Sequence, residues 1–135
     1  MDKNTTTITG IEQGRAKFAY DCAHQVLSKD SKFGKEYKSY VKKIPMLIKT
    51  NGLGATFAFV LSKAKEGNPY QLIYQQTTAW LKVDQKKLID LPNNPNLVSE
   101  IITLDSPQYR AVTVEVLAFF NWLKRFADGL IEGED

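Results

Sequence analysis

Residues 106–130, SPQYRAVTVEVLAFFNWLKRFADGL, decide how this chain folds. Ser106 offers a side-chain oxygen suited to an N-cap, and Pro107 fits the first helical position, where no backbone N–H is needed. Gly129 suits the residue just past a helix end, and Lys124 and Arg125 fall in the last turns, where cations complement the helix dipole. The span between is a helix of roughly six turns. Its apolar residues, from Ala111 and Val112 through Phe119, Phe120 and Leu123 to Ala127, cover most of the circumference. A helix so apolar is buried by neighbours on several sides. Glu115 is out of place, because it shares a face with Phe119, Trp122 and Phe126. A carboxylate there needs a partner, since an unpaired buried charge is very costly.

Working outward, the partner is found in the first helix, expected from about Thr9 to Ser28. Its apolar face carries Ile11, Phe18, Ala19, Cys22 and Val26, and Arg15 falls on that same face. Arginine is rarely buried unpaired. Arg15 and Glu115 are therefore expected to form a structural ion pair tying the first helix to the last, the alternative being that Arg15 snorkels to the rim and Glu115 contacts water. A second helix is expected over Lys35–Thr50, burying Tyr37, Tyr40, Val41, Ile44 and Ile48, kinked at Pro45 and stopped by Asn51-Gly52. A third follows over Leu53–Glu66, with Leu53, Phe57, Val60, Leu61 and Ala64 inward and Gly54, Ala55 and Ala58 small enough for close approach. Asn68-Pro69 opens a fourth, to about Leu81, with Tyr70, Ile73, Thr77 and Trp80 inward. Residues 82–94 are irregular, and Asn96 caps a short helix to about Leu104. No strand-period segment, internal repeat or low-complexity tract is found. The fold class is all-α: a compact bundle of five to six helices around a long buried C-terminal helix, in one domain spanning 1–135. Residues 1–9 read as a frayed tail and 131–135 as an acidic one.

At 135 residues, 43% apolar and 24% charged, the composition suits one globular core. No apolar run reaches the roughly 18 residues of a membrane span, and no secretory h-region opens the chain. The single Cys22 excludes an internal disulfide, so a reducing cytoplasm is the expected location. Metal sites need converging His, Cys or carboxylates, but there is one His and one Cys. His24 belongs to the polar side of its helix and Cys22 to the core. No phosphate-binding glycine loop exists. Asp84, Asp90 and Asp105 read as turn and cap residues. A catalytic role, a metal and a cofactor are not expected.

Net charge is a mild +3, but it is unevenly spread. Segment 32–49 holds six Lys against one Glu, and segment 128–135 holds four acids and no base. Lys35, Lys38, Lys42 and Lys49 share one face of the second helix, read as opposite its buried side, with Lys43 beside them. Lys124 and Arg125 form a second basic patch. Either is a solvated face or a track for phosphates, which lysines contact without reading sequence. Neither patch shows the interleaved exposed aromatics that stack bases, so any RNA contact is expected to be to the backbone.

Several stretches together resemble a known family. They are Arg15-Ala16 with Phe18; Tyr37-Lys38 with Val41-Lys42; Ile44-Pro45; Asn51-Gly52-Leu53 with Thr56-Phe57-Ala58-Phe59 and Lys63; and Tyr109-Arg110 with Thr113, Glu115 and Trp122-Leu123-Lys124-Arg125-Phe126-Ala127. The chain resembles the small helical subunit of the type III-B CRISPR effector, the fifth protein of the Cmr complex, across nearly its whole length. The resemblance implies a non-catalytic protein that stacks in several copies along a guide RNA–target RNA duplex, against the repeated backbone subunit and the large subunit. The alternative reading is a stand-alone helical adaptor that binds no nucleic acid. On the first reading Lys35, Lys38, Lys42, Lys43, Lys49, Lys124 and Arg125 are the candidate RNA-backbone contacts, and the opposite charges of 32–49 and 128–135 help copies stack.

Overall fold

A computed structural model describes residues 3–84, 86–93 and 95–133, with the side chains of all of these except 3–9 and 11. Ile11 and the terminal Glu134 and Asp135 thus lie outside the described side chains. The regular structure among the described residues is helical, with no strand. Helix α1 spans Lys3–Gln25, six residues ahead of the expected start, and closes in a 3-10 turn over Val26–Ser28. Helix α2, Ser31–Asn51, also starts early, because Asp30 accepts the Phe33 N–H at 2.8 Å as its N-cap. It runs through Pro45 and stops at Gly52, whose φ of 92° favours glycine.

Gly52 also begins α3, Leu53–Lys63, but offers it no side-chain cap. Tyr109 does this instead: its Oη accepts the Gly54 N–H at 2.8 Å. The close approach expected of Gly54, Ala55 and Ala58 is realised only at Gly54, where a Cβ would sit 3.4 Å from Tyr109 Oη and from Ile102 Cγ2. Helix α3 ends three residues sooner than expected. Asn68 causes this, since its Nδ2 donates to the Lys63 carbonyl while its Oδ1 accepts the N–H groups of Lys65 and Gln71. One side chain thereby closes α3 and caps α4, Pro69–Val83. Helix α5, Leu97–Ile102, is capped by Asn96.

The last helix, α6, spans Ser106–Leu130. Asp105, not Ser106, is its N-cap, accepting the Gln108 N–H at 2.9 Å. Gly129 stays inside the helix rather than ending it, and Ile131 follows as the C-cap. The physical reason is burial: Ile131 is 6% exposed and packs on Gly34, where a Cβ would come within 3.1 Å of its Cγ2. Helices α1 and α2 pack along α6, α4 lies against α2 and α3, and α5 against α3. Phe119, Phe120 and Leu123 of α6 meet Tyr37, Ile44, Phe57, Ile73 and Leu81 in a fully buried core. The expected circumferential burial of α6 is incomplete, for Val114 is 64% exposed. Leu61, expected inside, also faces out, while Cys22 is buried and His24 exposed.

Candidate nucleic-acid interface

The deepest polar feature lies between α1, α4 and α6. Glu115 is fully buried, and Arg15 is buried opposite it. Arg15 Nε donates to Glu115 Oε2 and Nη2 to Oε1, both at 2.8 Å. This two-pronged geometry is the strong form of the Arg–carboxylate pair. Two further donors were not foreseen from the sequence: Trp80 Nε1 reaches Glu115 Oε2 at 2.9 Å, and Lys86 Nζ bridges to Oε1. Burial pushes the Glu115 pKa up, but the hydrogen bonds from Arg15, Lys86 and Trp80 and the Arg15 charge outweigh it, so the carboxyl titrates below its usual range. Glu12 takes the remaining Arg15 edge at 2.6 Å and accepts from Trp122 Nε1 at 2.7 Å. Asp84, read as a turn or cap residue, is the C-cap of α4 and is in addition buried. Its Oδ1 accepts the Lys86 N–H, while Oδ2 has no hydrogen-bond partner among the described residues, and burial raises its pKa. Every strong bond here runs within the protein, so the cluster ties helices together.

The basic candidates separate into three places. Lys38 is not on an outer face: it is 6% exposed and donates to the carbonyls of Ile131 and Gly133, with Asp128 at 3.7 Å. At about 100° per residue, Lys35, Lys38, Lys42 and Lys49 sit roughly 80–140° from the centre of the buried face of α2, not opposite it. That flank is where α6 packs, so Lys38 became an interior cation closing the end of α6. Lys42 Nζ lies 4.0 Å from the same Asp128. The oppositely charged segments therefore meet within one chain at this point, through Lys38, Lys42 and Asp128.

Further along, Lys49 of α2 and Lys124 of α6 line one shallow groove with Pro45, Leu117, Ala118 and Asn121. Two patches separate in sequence become one in space. Arg125 is exposed one residue on, its guanidinium 5.9 Å from the Trp122 ring. Lys35 is exposed beside Gly133. Lys43 faces a third way, toward Tyr40 and Phe59. The expectation that no exposed aromatic interleaves with the cations is wrong there. Phe59 is 37% exposed, with Lys43 Nζ at 6.0 Å and Lys63 Nζ at 5.9 Å from its ring centre. The signal was available, for Ala55, Phe59 and Lys63 recur every fourth residue off the buried face of α3. Among the described residues no group of His, Cys, Asp and Glu side chains is placed to hold a metal, and no helix is long and apolar enough to cross a membrane.

Comparison with known proteins turns these features into a family. The model of the CRISPR-associated Cmr5 proteins matches residues 11–130. The chain belongs to the Cmr5 family. A curated relative, the CRISPR system Cmr subunit Cmr5 of Thermus thermophilus, is 32% identical over 97 residues, covering 72% of this chain and 76% of its own. The crystal structure of a CRISPR-associated Cmr5 family protein from the same organism superposes with a TM-score of 0.72 at 28% identity, over 90% of this chain and 97% of that one. Two stretches on which the resemblance rested are joined by one contact, since Tyr109 supplies the helix cap that the Asn51-Gly52-Leu53 turn lacks. Arg15 and Glu115, from opposite ends of the family match, are joined by another.

Proposed function

We propose that this Cmr5 protein is a non-catalytic, cytoplasmic small subunit of a type III-B CRISPR ribonucleoprotein. Several copies stack along the guide RNA–target RNA duplex against the repeated backbone subunit and the large subunit. Each contacts phosphates through Lys49 and Lys124, with Lys35 and Arg125 extending the track, Lys42 at its edge and Lys43 offering a separate contact on another face. Lys38 is left out, because its ammonium is committed to the end of α6.

The observation that carries this reading is the groove in which Lys49 and Lys124 come together from different helices. Neither has a carboxylate partner among the described residues. Unneutralised lysines sharing a groove suit a polyanion, and weak contacts repeated by stacked copies give avidity without one strong site. The test is crosslinking to RNA in the assembled complex with Lys49→Glu and Lys124→Glu combined. Loss of crosslinks from a subunit that still assembles is expected. Unchanged crosslinks, or purification only with an RNA-free partner, would favour the adaptor reading instead. If Lys35, Lys49, Lys124 and Arg125 each neutralise one phosphate, single-strand affinity should fall with a log–log salt slope of roughly −3.

A further inference from the structure

A second surface, away from the Lys49–Lys124 groove, has features that a phosphate track does not need. Between α2 and α3 lies a hollow of about 460 Å³ lined by Lys43, Leu47, Asn51, Ala55, Thr56 and Phe59. Phe59 forms an exposed wall whose orientation is set from behind. Tyr70 meets it edge-on at 5.9 Å and 88°, and Tyr70 is itself stacked on Tyr40 at 3.9 Å. A ring braced in this way is held in place before any ligand arrives, which limits the entropy lost on binding. Lys43 and Lys63 hold their ammonium groups over the same ring, neither with a carboxylate partner among the described residues.

Thr56 adds an independent sign. It is 2% exposed, and its hydroxyl has no hydrogen-bond partner. Buried hydroxyls are nearly always bonded. Three other helical threonines in this chain, Thr77, Thr78 and Thr113, each donate to the carbonyl four residues back at 2.8–2.9 Å. Thr56 does not, so one residue lining the hollow carries a hydroxyl that is unsatisfied among the described residues and lies just beneath the surface, closed off from solvent.

We propose that this hollow is a stacking site for one unpaired nucleobase of an RNA strand, with Lys43 and Lys63 taking the flanking phosphates. The inference rests on the RNA-contacting reading above and adds base contact to it. A base uses the Phe59 face and the ammonium groups for the phosphates on either side, and as its edge opens the lining it reaches the Thr56 hydroxyl beneath. The lysine over the ring leaves that face as the base arrives, its flexible stem carrying the charge outward to the backbone. An acidic peptide would engage the ammonium groups alone and leave the ring and the hydroxyl unused.

The experiment is an NMR titration of the full-length chain, which reads millimolar affinities, with three hexamers of comparable negative charge. These are a single-stranded oligoribonucleotide, its abasic counterpart and hexaglutamate. The base-bearing strand is expected to bind on the order of ten-fold more tightly than the abasic one and to shift the Phe59 ring protons. Phe59→Ala should remove that difference, Phe59→Trp should restore or enlarge it, and Thr56→Val should reduce it with the fold intact. All three should leave the salt slope of the abasic strand unchanged. Equal binding of the two strands, or hexaglutamate shifting the same ring protons as strongly, overturns the stacking site and leaves the phosphate track standing. If neither strand binds at low salt, the stacking site falls, and the phosphate track is judged by the crosslinks in the assembled complex.

Discussion

Replacing Glu115 with Ala is the sharpest test of how this fold is held. The side chain is fully buried and accepts from Arg15 twice, from Trp80 and from Lys86. Its removal strands the Arg15 guanidinium, 8% exposed, with Glu12 as its remaining acid partner. It also leaves the Trp80 indole N–H without an acceptor. Breaking one side of a buried pair costs about 3–5 kcal/mol. That is a large share of the roughly 5–15 kcal/mol that holds a domain together. Arg15→Ala should cost less, because Trp80 and Lys86 still satisfy Glu115. With both removed, no stranded charge is left between α1 and α6, so the double variant should be about 1–3 kcal/mol more stable than the sum of the single losses implies. Urea unfolding of the four proteins at neutral pH measures this directly. Losses that add to within about 0.3 kcal/mol would refute the coupling and reduce the pair to two independent packing contributions.

Other consequences follow from the same geometry. Because the Glu115 pKa is lowered in the folded protein, its stabilising contribution is in place above its ordinary 4.5 and is lost as pH falls through the folded value. Asp84 has the opposite sign, since burial raises its pKa and stability falls as pH rises through that value. Asp84→Asn should therefore gain on the wild type between pH 4 and pH 7 in urea midpoint, and a variant that loses ground over that range would contradict the argument. Burial pushes the Cys22 thiol up to about 12, so native protein at pH 8 should resist thiol reagents that label it at once in urea. Lys38→Met should cost about 1–2 kcal/mol by releasing the Ile131 and Gly133 carbonyls, with no change in the salt slope of RNA binding; a change in slope would return Lys38 to the phosphate set. Tyr109→Phe should cost about 1 kcal/mol and speed amide exchange at Gly54 while sparing α4, and uniform loss of protection would show the cap to be unimportant.

The elements were legible because local chemistry punctuates them. Pro69 behind Asn68, Gly52 after Asn51, and the apolar periodicities of α4 and α6 each act within a few residues, and each lies where it was read. The misplaced ends had local causes that compete with the obvious one. Asp105 took the cap from Ser106, and Asn68 drew the Lys63 carbonyl away from α3. The Arg15–Glu115 pairing was readable at long range for a different reason, that each charge sat on an apolar face with few acceptable partners. Lys38 was misread because a stripe of lysines on a helical wheel does not say which neighbour packs beside it. Phe59 was not legible as a binding residue because one of the two cations over its ring comes from α2, a neighbour that only packing supplies.

By itself the sequence determined that the chain is helical, where most of its turns fall, and which two charges had to find each other, because propensity, capping and the cost of burying charge act on short spans or on rare residues. Only the tertiary structure decided which lysines are bound inward and which remain open. It also decided that Lys49 and Lys124 share a groove, and that Phe59, with two ammonium groups near its ring, lines one hollow with Thr56. Those outcomes depend on how α2, α3 and α6 lie against one another, and packing between helices is set by the whole core at once rather than by any stretch of chain.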